Sequence, residues 1–134
     1  MKNIMTRLTA VLMAAPLLGC AGQPKESATD AVADFIVVSE LEALDVVRFR
    51  GQFDYKTISD EYVVLTSRGD YYLAQFRRRC HELNEYEFRA DIRFDRNQLR
   101  AGTDTIRGCL IDRLFAIDGA QAQELEILAK GPGE

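Results

Sequence analysis

The sequence predicts an α+β domain that is mainly β, a small antiparallel meander sheet or partly closed barrel with a short N-terminal helix and a C-terminal helix. Short runs rich in β-branched and aromatic residues are separated by turn residues, whereas helical periodicity is confined to the two ends of the domain. Residues 71–76 are apolar on both faces, which is typical of a central strand or the inside of a small barrel.

The N-terminus has the pattern of a lipoprotein signal peptide covering residues 1–19. Two basic residues precede an apolar run over residues 8–18, which has the length of a signal-peptide core and is too short to span a bilayer. The run ends in Gly19 and Cys20, and this pairing resembles the lipobox of bacterial lipoproteins. The resemblance implies cleavage before Cys20 and acylation of its thiol and new amine. The alternative is an ordinary secretory signal with a chance cysteine.

Lipid on Cys20 would anchor the protein, because each buried methylene contributes ~0.8 kcal/mol and several chains together hold a protein stably. Residues 20–29 are small and polar, which predicts a flexible tether. Residues 30–134 are predicted to form a single disulfide-stapled domain. We expect the protein to lie in the cell envelope, lipid-anchored in the outer membrane and facing the periplasm.

The first half of the domain is predicted to contain one helix followed by short strands. Apolar residues at helical spacing, with Asp30 as a candidate N-cap, predict a helix over residues 30–38. A further helical turn is predicted from Ser39. The pattern then changes to alternation, which predicts strands over residues 46–49 and 55–58.

A β-hairpin is predicted next. Residues 62–66 are rich in β-forming side chains, residues 67–70 have the composition of a turn, and residues 71–76 form the returning strand. The clearest alternation follows over residues 86–94, where apolar and charged side chains alternate and predict one buried and one solvated face.

The C-terminal part is predicted to be a loop over residues 97–103, a short segment over 104–107 and a strand from Cys109 to Ile117. Asp118 is the candidate N-cap of a helix from Gly119 to Lys130, which ends before the Gly-Pro-Gly of residues 131–133. This helical tail from Gly119 is expected to be loosely held.

The charge balance argues against a nucleic-acid partner. The chain of 134 residues carries 17 basic and 21 acidic residues, and removal of residues 1–19 takes two basic residues away, leaving 15 against 21 and a net charge of −6. An acidic chain repels polyanions and lacks a broad attraction for anionic lipid. The expected partners are the membrane, through the lipid on Cys20, and an envelope protein.

The three cysteines predict one disulfide. If Cys20 carries lipid, Cys80 and Cys109 remain as a pair in an exported protein, where an oxidising environment favours a disulfide. The alternatives are a thiol nucleophile or a metal site, since His81 follows Cys80. However, neighbouring strand residues point to opposite faces, His81 is the only histidine, and zinc takes three or four ligands. We therefore expect no metal, no cofactor and no catalytic residue.

The spacing of apolar residues around the two later cysteines resembles that of an uncharacterised family of small proteobacterial lipoproteins, a domain of unknown function. The resemblance covers roughly residues 30–117. It implies an exported lipoprotein with a paired-cysteine framework, and it implies no activity. The residues that carry the resemblance are Tyr72, Leu73, Cys80, Leu83, Ile92, Arg93, Phe94, Asp104, Thr105, Ile106, Cys109, Leu110 and Ile111.

The one basic run in the sequence is Arg77, Arg78 and Arg79, followed shortly by His81. These four residues are a candidate binding patch, because guanidinium groups match phosphate. The alternative is a solvated strand end whose charge is balanced by nearby glutamates. In an extended chain Arg78 points away from Arg77 and Arg79, so one shared site would need a bend.

Two functions are compatible with the sequence. The first is a non-catalytic envelope lipoprotein that acts by binding, as an accessory of an envelope assembly or as a small inhibitor. The second is an enzyme acting on cell-wall glycan through paired carboxylates, for which the candidate residues near predicted strand ends are Asp54, Asp60, Glu61 and Asp104. Two carboxylates facing each other across a deep cleft would favour the enzyme.

Overall fold

The structure is a computed structural model, and it describes residues 27–84 and 97–131. The strand predicted over residues 86–94 lies outside the described residues. Neither of the two described α-helices is long and apolar enough to cross a membrane. In chain order the elements are α1 (Ala28–Val38), β1 (Ala43–Leu44), β2 (Val46–Arg48), β3 (Asp54–Thr57), β4 (Tyr62–Ser67), β5 (Asp70–Phe76), a 3-10 turn (His81–Asn84), β6 (Gln98–Arg100), β7 (Thr105–Ile106), β8 (Cys109–Ile117) and α2 (Gly119–Lys130).

The strands form one six-stranded sheet and a separate two-stranded ribbon. The main sheet has the order β1-β8-β5-β4-β3 with β7 paired to β8, and every pair is antiparallel. The predicted α+β, mainly β class is confirmed, and β5 occupies the predicted central position. The sheet is open, since the edge strands β1 and β3 do not pair with each other in the described part of the chain. The ribbon consists of β2 and β6.

The main sheet is buried on both faces, which explains the two-faced apolar pattern of β5. On one face, Leu73 belongs to a cluster that includes Phe35 of α1 and Leu125 of α2. On the other face, Ala74 and Phe76 belong to a cluster that includes buried residues of the ribbon. The helices and the ribbon therefore lie on opposite sides of the sheet.

Helix α1 is capped by Ser27 rather than by Asp30. The Ser27 hydroxyl accepts a hydrogen bond from the Asp30 amide at 3.2 Å, so Asp30 lies in the first turn. The predicted helical turn from Ser39 is absent, because Glu40 takes a left-handed conformation with φ 51°. The Leu41 amide then donates to the Ile36 carbonyl at 3.1 Å, which closes a Schellman-type helix end.

The hairpin predicted around residues 67–70 is confirmed. Arg68 and Gly69 both have positive φ, 49° and 88°, as a two-residue type I′ turn requires. The β7–β8 hairpin turns in the same way at Arg107 and Gly108, with φ of 49° and 80°.

Two C-terminal predictions had different outcomes. The loop predicted over residues 97–103 was wrong in part, because β6 pairs with β2 and buries Leu99 opposite Val47. Helix α2 spans the predicted residues, and Asp118 caps it through the Gln121 amide at 2.8 Å. The helix that we expected to be loosely held packs on the sheet, and its Leu125 is fully buried.

Candidate functional site

The segment that leaves the central strand carries most of the predicted site residues. Beyond the end of β5 it remains hydrogen-bonded to β8 on one side and to the turn before β4 on the other. The Arg77 amide donates to the Leu110 carbonyl at 3.0 Å, and the Cys80 amide donates to the Asp60 carbonyl at 2.7 Å. This irregular extension of β5 places Cys80 in the buried core on the side of the sheet that faces the ribbon.

Cys80 and Cys109 lie at disulfide distance, with their Cα atoms 5.8 Å apart. Their expected proximity is confirmed. Both residues are fully buried in the same core cluster as Leu83, Ile106 and Ile111. Thiol–disulfide exchange needs access of an attacking thiolate to a sulfur atom, and burial denies that access in the folded state. The pair therefore has the environment of a structural cross-link.

Glu82 adds a carboxylate to the cysteine pair. Its Oε2 lies 3.3 Å from the Cys109 sulfur, and its backbone carbonyl accepts from Arg107 Nε at 3.0 Å. Cys80, Glu82 and Cys109 are the one group in the described residues that could hold a metal ion. Two cysteines bonded to each other have no thiolate to offer, so this state does not fit a metal. Sequence reasoning treated Glu82 only as a balancing charge.

The three consecutive arginines pair with carboxylates on three different parts of the fold. Arg77 Nε lies 3.2 Å from Asp112, Arg78 Nη2 lies 3.9 Å from Glu82, and Arg79 Nε lies 3.7 Å from Glu61. The arginine side chains are 59%, 71% and 72% exposed, so the pairs are solvated and weak. His81 is exposed as well. The guanidinium groups do not converge in this arrangement, and their use as a binding patch stays a prediction.

A second set of arginines lies on the outer face of the β2–β6 ribbon. Burial alternates along the first strand: Val47 and Phe49 are buried, whereas Arg48 and Arg50 are exposed. Arg100 of β6 is also exposed. None of the three guanidinium groups forms an ion pair or hydrogen bond within residues 27–84 and 97–131, although the Arg100 amide donates to the Asp104 carboxylate. Sequence reasoning missed the set, because β6 was predicted to be a loop.

Arg50 also influences a tyrosine on the inner side of the ribbon. The pKa of Tyr72 is raised above its ordinary value, chiefly by burial and further by Asp70, while Arg50 lowers it in part. The Tyr72 ring packs edge-on against Phe49, with ring centroids 5.5 Å apart. Phe49, which follows β2, thus packs against Tyr72 of the main sheet, while Arg48 and Arg100 of the ribbon face solvent.

The four carboxylates proposed for glycan chemistry are spread over β3, the turn after it and the loop before β7. Asp54 begins β3 and Asp60 lies in the turn after it, at least four residues of extended chain apart, which is roughly 13 Å. The Asp104 carboxylate accepts from the Arg100 amide at 2.7 Å and closes its own loop. Glu61 is directed towards Arg79.

The backbones of Glu61 and Asp104 are separated by two intervening strands, β5 and β8. The Glu61 carbonyl accepts from the Phe76 amide at 2.8 Å, and Phe76 pairs with Ile111. The Ile111 amide in turn donates to the Asp104 carbonyl at 3.0 Å. Three strand spacings of ~4.8 Å place the two backbones roughly 14 Å apart. Glycosidase carboxyls lie about 5–9.5 Å apart.

Comparison with protein-family models matches residues 1–132 to a family described as "Family of unknown function (DUF6491)". The match extends beyond the resemblance seen over residues 30–117, and it takes in both the N-terminal segment and α2. No curated protein and no solved structure matches the chain.

Proposed function

The chain belongs to the DUF6491 family, which is a family of unknown function, and we propose that it is a bacterial envelope lipoprotein that acts by binding. Lipid on Cys20 holds it in the outer membrane, and residues 20–26 join that anchor to the folded domain on the periplasmic side. The domain presents a rigid surface to an envelope partner, as an accessory of an assembly or as an inhibitor, and it carries out no chemistry.

The buried Cys80–Cys109 pair is the observation that carries this proposal. A disulfide there joins the exit of the central strand to the start of β8, two neighbouring strands of the main sheet. Such bonds persist in oxidising compartments and are rare in the cytosol. Export also agrees with the apolar run that ends at Gly19 and Cys20. The dispersed carboxylates support binding over glycan hydrolysis.

Metabolic labelling with a palmitate analogue tests the anchor. The wild-type protein incorporates label and sediments with membranes, whereas Cys20→Ser does neither. The matched control is the Cys80→Ser/Cys109→Ser double variant, which also lacks cysteines but keeps Cys20 and its label. If Cys20→Ser stays labelled and membrane-bound, the anchor is elsewhere and the lipoprotein assignment fails.

A second experiment separates binding from catalysis. The purified protein is incubated with peptidoglycan, and released fragments are measured for the wild type and for Glu61→Gln and Asp104→Asn. No variant, and no wild-type sample, releases fragments above a blank. Release by the wild type that is lost in one of these variants would establish the glycan-acting enzyme and overturn the proposal.

A further inference from the structure

The outer face of the β2–β6 ribbon is a cationic surface whose guanidinium groups form no ion pair with the carboxylates of residues 27–84 and 97–131. We infer that this face docks on the phosphate groups of anionic phospholipids in the membrane that carries the anchor. The inference goes beyond the proposed function, because it names a second contact between the domain and the membrane. It rests on the lipid at Cys20, which keeps that membrane within reach.

Strand pairing brings the arginines together. Arg48 ends β2 and Arg50 follows it by two residues, so the two exposed arginines lie within about 7 Å of each other along the chain. Arg48 lies opposite Gln98 and Val46 lies opposite Arg100, so Arg48 and Arg100 are diagonal neighbours about 7–8 Å apart. Three exposed arginines therefore lie close together on the ribbon.

A fourth arginine borders this area. Arg68 at the tip of the β4–β5 hairpin places its Nε 3.7 Å from the position that a Cβ atom on Gly51 would occupy. Gly51 directly follows Arg50 in the chain. Arg68 likewise has no ion pair or side-chain hydrogen bond within residues 27–84 and 97–131. By contrast, Arg77, Arg78 and Arg79 each lie beside a carboxylate.

An unpaired guanidinium fork matches the geometry of phosphate, and a set of them provides several such forks on one plane. Val46 is 38% exposed on the same face, so the surface is cationic with an apolar side chain among the charges. A membrane interface presents the same combination, with phosphate groups above hydrocarbon. Basic side chains at an anionic membrane surface each add to the attraction.

The short segment between Cys20 and the folded domain favours the membrane over a soluble polyanion as the partner of this face. Six residues separate Cys20 from Ser27, the first described residue, and the seven Cα-to-Cα steps between the two span at most about 25 Å. The tether holds the membrane at high effective concentration, so weak contacts suffice. A free polyanion has no such tether and must instead be recruited from solution.

The chain lacks tryptophan, which allows a single-probe experiment. Val46→Trp places a probe on the ribbon face, and Ile127→Trp places a matched probe on α2, where Ile127 is 68% exposed on the opposite side of the sheet. Each lipidated protein is reconstituted in brominated-lipid vesicles of phosphatidylcholine alone or mixed with phosphatidylglycerol. Bromine quenching then reports which face lies against the lipid.

We expect quenching of the probe at position 46 in the mixed vesicles, weaker quenching in phosphatidylcholine alone, and no quenching of the probe at position 127. About 1 M salt, with a screening length of about 3 Å, removes the difference between the two vesicles. Within Val46→Trp, the Arg48→Gln/Arg50→Gln/Arg100→Gln background loses the quenching. The Arg77→Gln/Arg78→Gln/Arg79→Gln background, with the same change in charge, keeps it.

Several results of the quenching experiment would contradict the docking face, and each has a different meaning. Equal loss in both triple variants shows that net charge alone matters and overturns the assignment of a face. Quenching at position 127 places the helices on the membrane and overturns it as well. A response to soluble polyphosphate without quenching in mixed vesicles identifies a soluble ligand instead. A protein that does not float with vesicles refutes the anchor as well, whereas one that floats unquenched refutes the docking face alone.

Discussion

Loss of the Cys80–Cys109 cross-link should lower the free energy of unfolding by an amount that follows from the length of the loop it closes. The two residues are 29 positions apart, so the cross-link closes a loop of 30 residues when both ends are counted. The chain-entropy expression for such a loop gives about 3.6 kcal/mol of stabilisation at 25 °C. That is a large share of the ~5–15 kcal/mol expected for a small domain.

Burial of the two cysteines determines which assay can measure the loss of stability on reduction. Because both cysteines are fully buried, a mild reductant should act only on molecules that have opened, and reduction of the native protein should be slow. The appropriate assay is equilibrium urea unfolding of oxidised protein and of protein reduced in denaturant and refolded. With a urea slope of ~1–3 kcal/mol/M, the midpoint should fall by at least about 1 M on reduction.

Cys20→Ser is the matched control, because it removes a cysteine that lies outside the closed loop and should leave the midpoint unchanged. Non-reducing mass mapping should find Cys80 and Cys109 joined in one peptide pair. Two free thiols in the native protein, or identical midpoints for the oxidised and reduced forms, would contradict a structural cross-link and reopen the reactive-thiol and metal interpretations.

Three further predictions concern single residues. Glu40→Gly should stabilise the protein by about 0.5–1 kcal/mol in urea unfolding, because glycine relieves a left-handed conformation that costs a non-glycine residue ~1–2 kcal/mol; Glu42→Gly should not stabilise. Asp118→Ala should lower stability by about 1 kcal/mol through loss of the α2 cap, and an equal loss in Asp118→Asn would refute the capping role. Burial raises the pKa of Tyr62 above its ordinary value of 10.0, and Arg113 offsets this in part. The folded protein then keeps the phenolic proton longer, so its stability should be intact below pH 10 and fall above it. Tyr62→Phe should flatten that fall in urea midpoints, and an unchanged slope would contradict the assignment.

How well the sequence predicted each element depended on whether its signals were local. Helix α2 was located correctly because its cap, Asp118, and its terminating glycine lie within the segment itself. The strand β6 was missed because it has three residues and one apolar side chain, and it is fixed by pairing with β2 some 50 positions earlier. The end of α1 at residue 38 was predicted correctly, whereas the further helical turn predicted from Ser39 was wrong because Glu40 takes a conformation that its residue type does not favour.

The proximity of the cysteines could be predicted because counting sufficed: once Cys20 is set aside, only one pairing remains. Glu82 was harder to anticipate. Its carboxylate reaches the Cys109 sulfur because the chain turns immediately after Cys80 and because Arg107 holds the Glu82 carbonyl from the β7–β8 hairpin. Neither contact has a signal in the local sequence.

The arginine residues likewise show that local sequence does not reveal which side chains lie together in the fold. A run of three in the sequence attracts attention, yet Arg77, Arg78 and Arg79 each have a carboxylate nearby in the fold. Arg48 and Arg100 are far apart in the sequence and meet only through the register of β2 and β6. Clustering of charge in the chain and clustering of charge in space were therefore different properties.

The register of β2 and β6 explains why positions 48 and 100 face solvent. A slip by one residue would turn Val47 and Leu99 out of the core, so burial of these two side chains forces positions 48 and 100 to face solvent together. Burial explains why the outer positions are polar, but any polar residue would satisfy it. It does not explain why arginine occupies positions 48, 50 and 100 of a chain with more acids than bases, where none of the described carboxylates lies at ion-pair distance from these guanidinium groups. Docking on an anionic membrane surface would give these arginines a function.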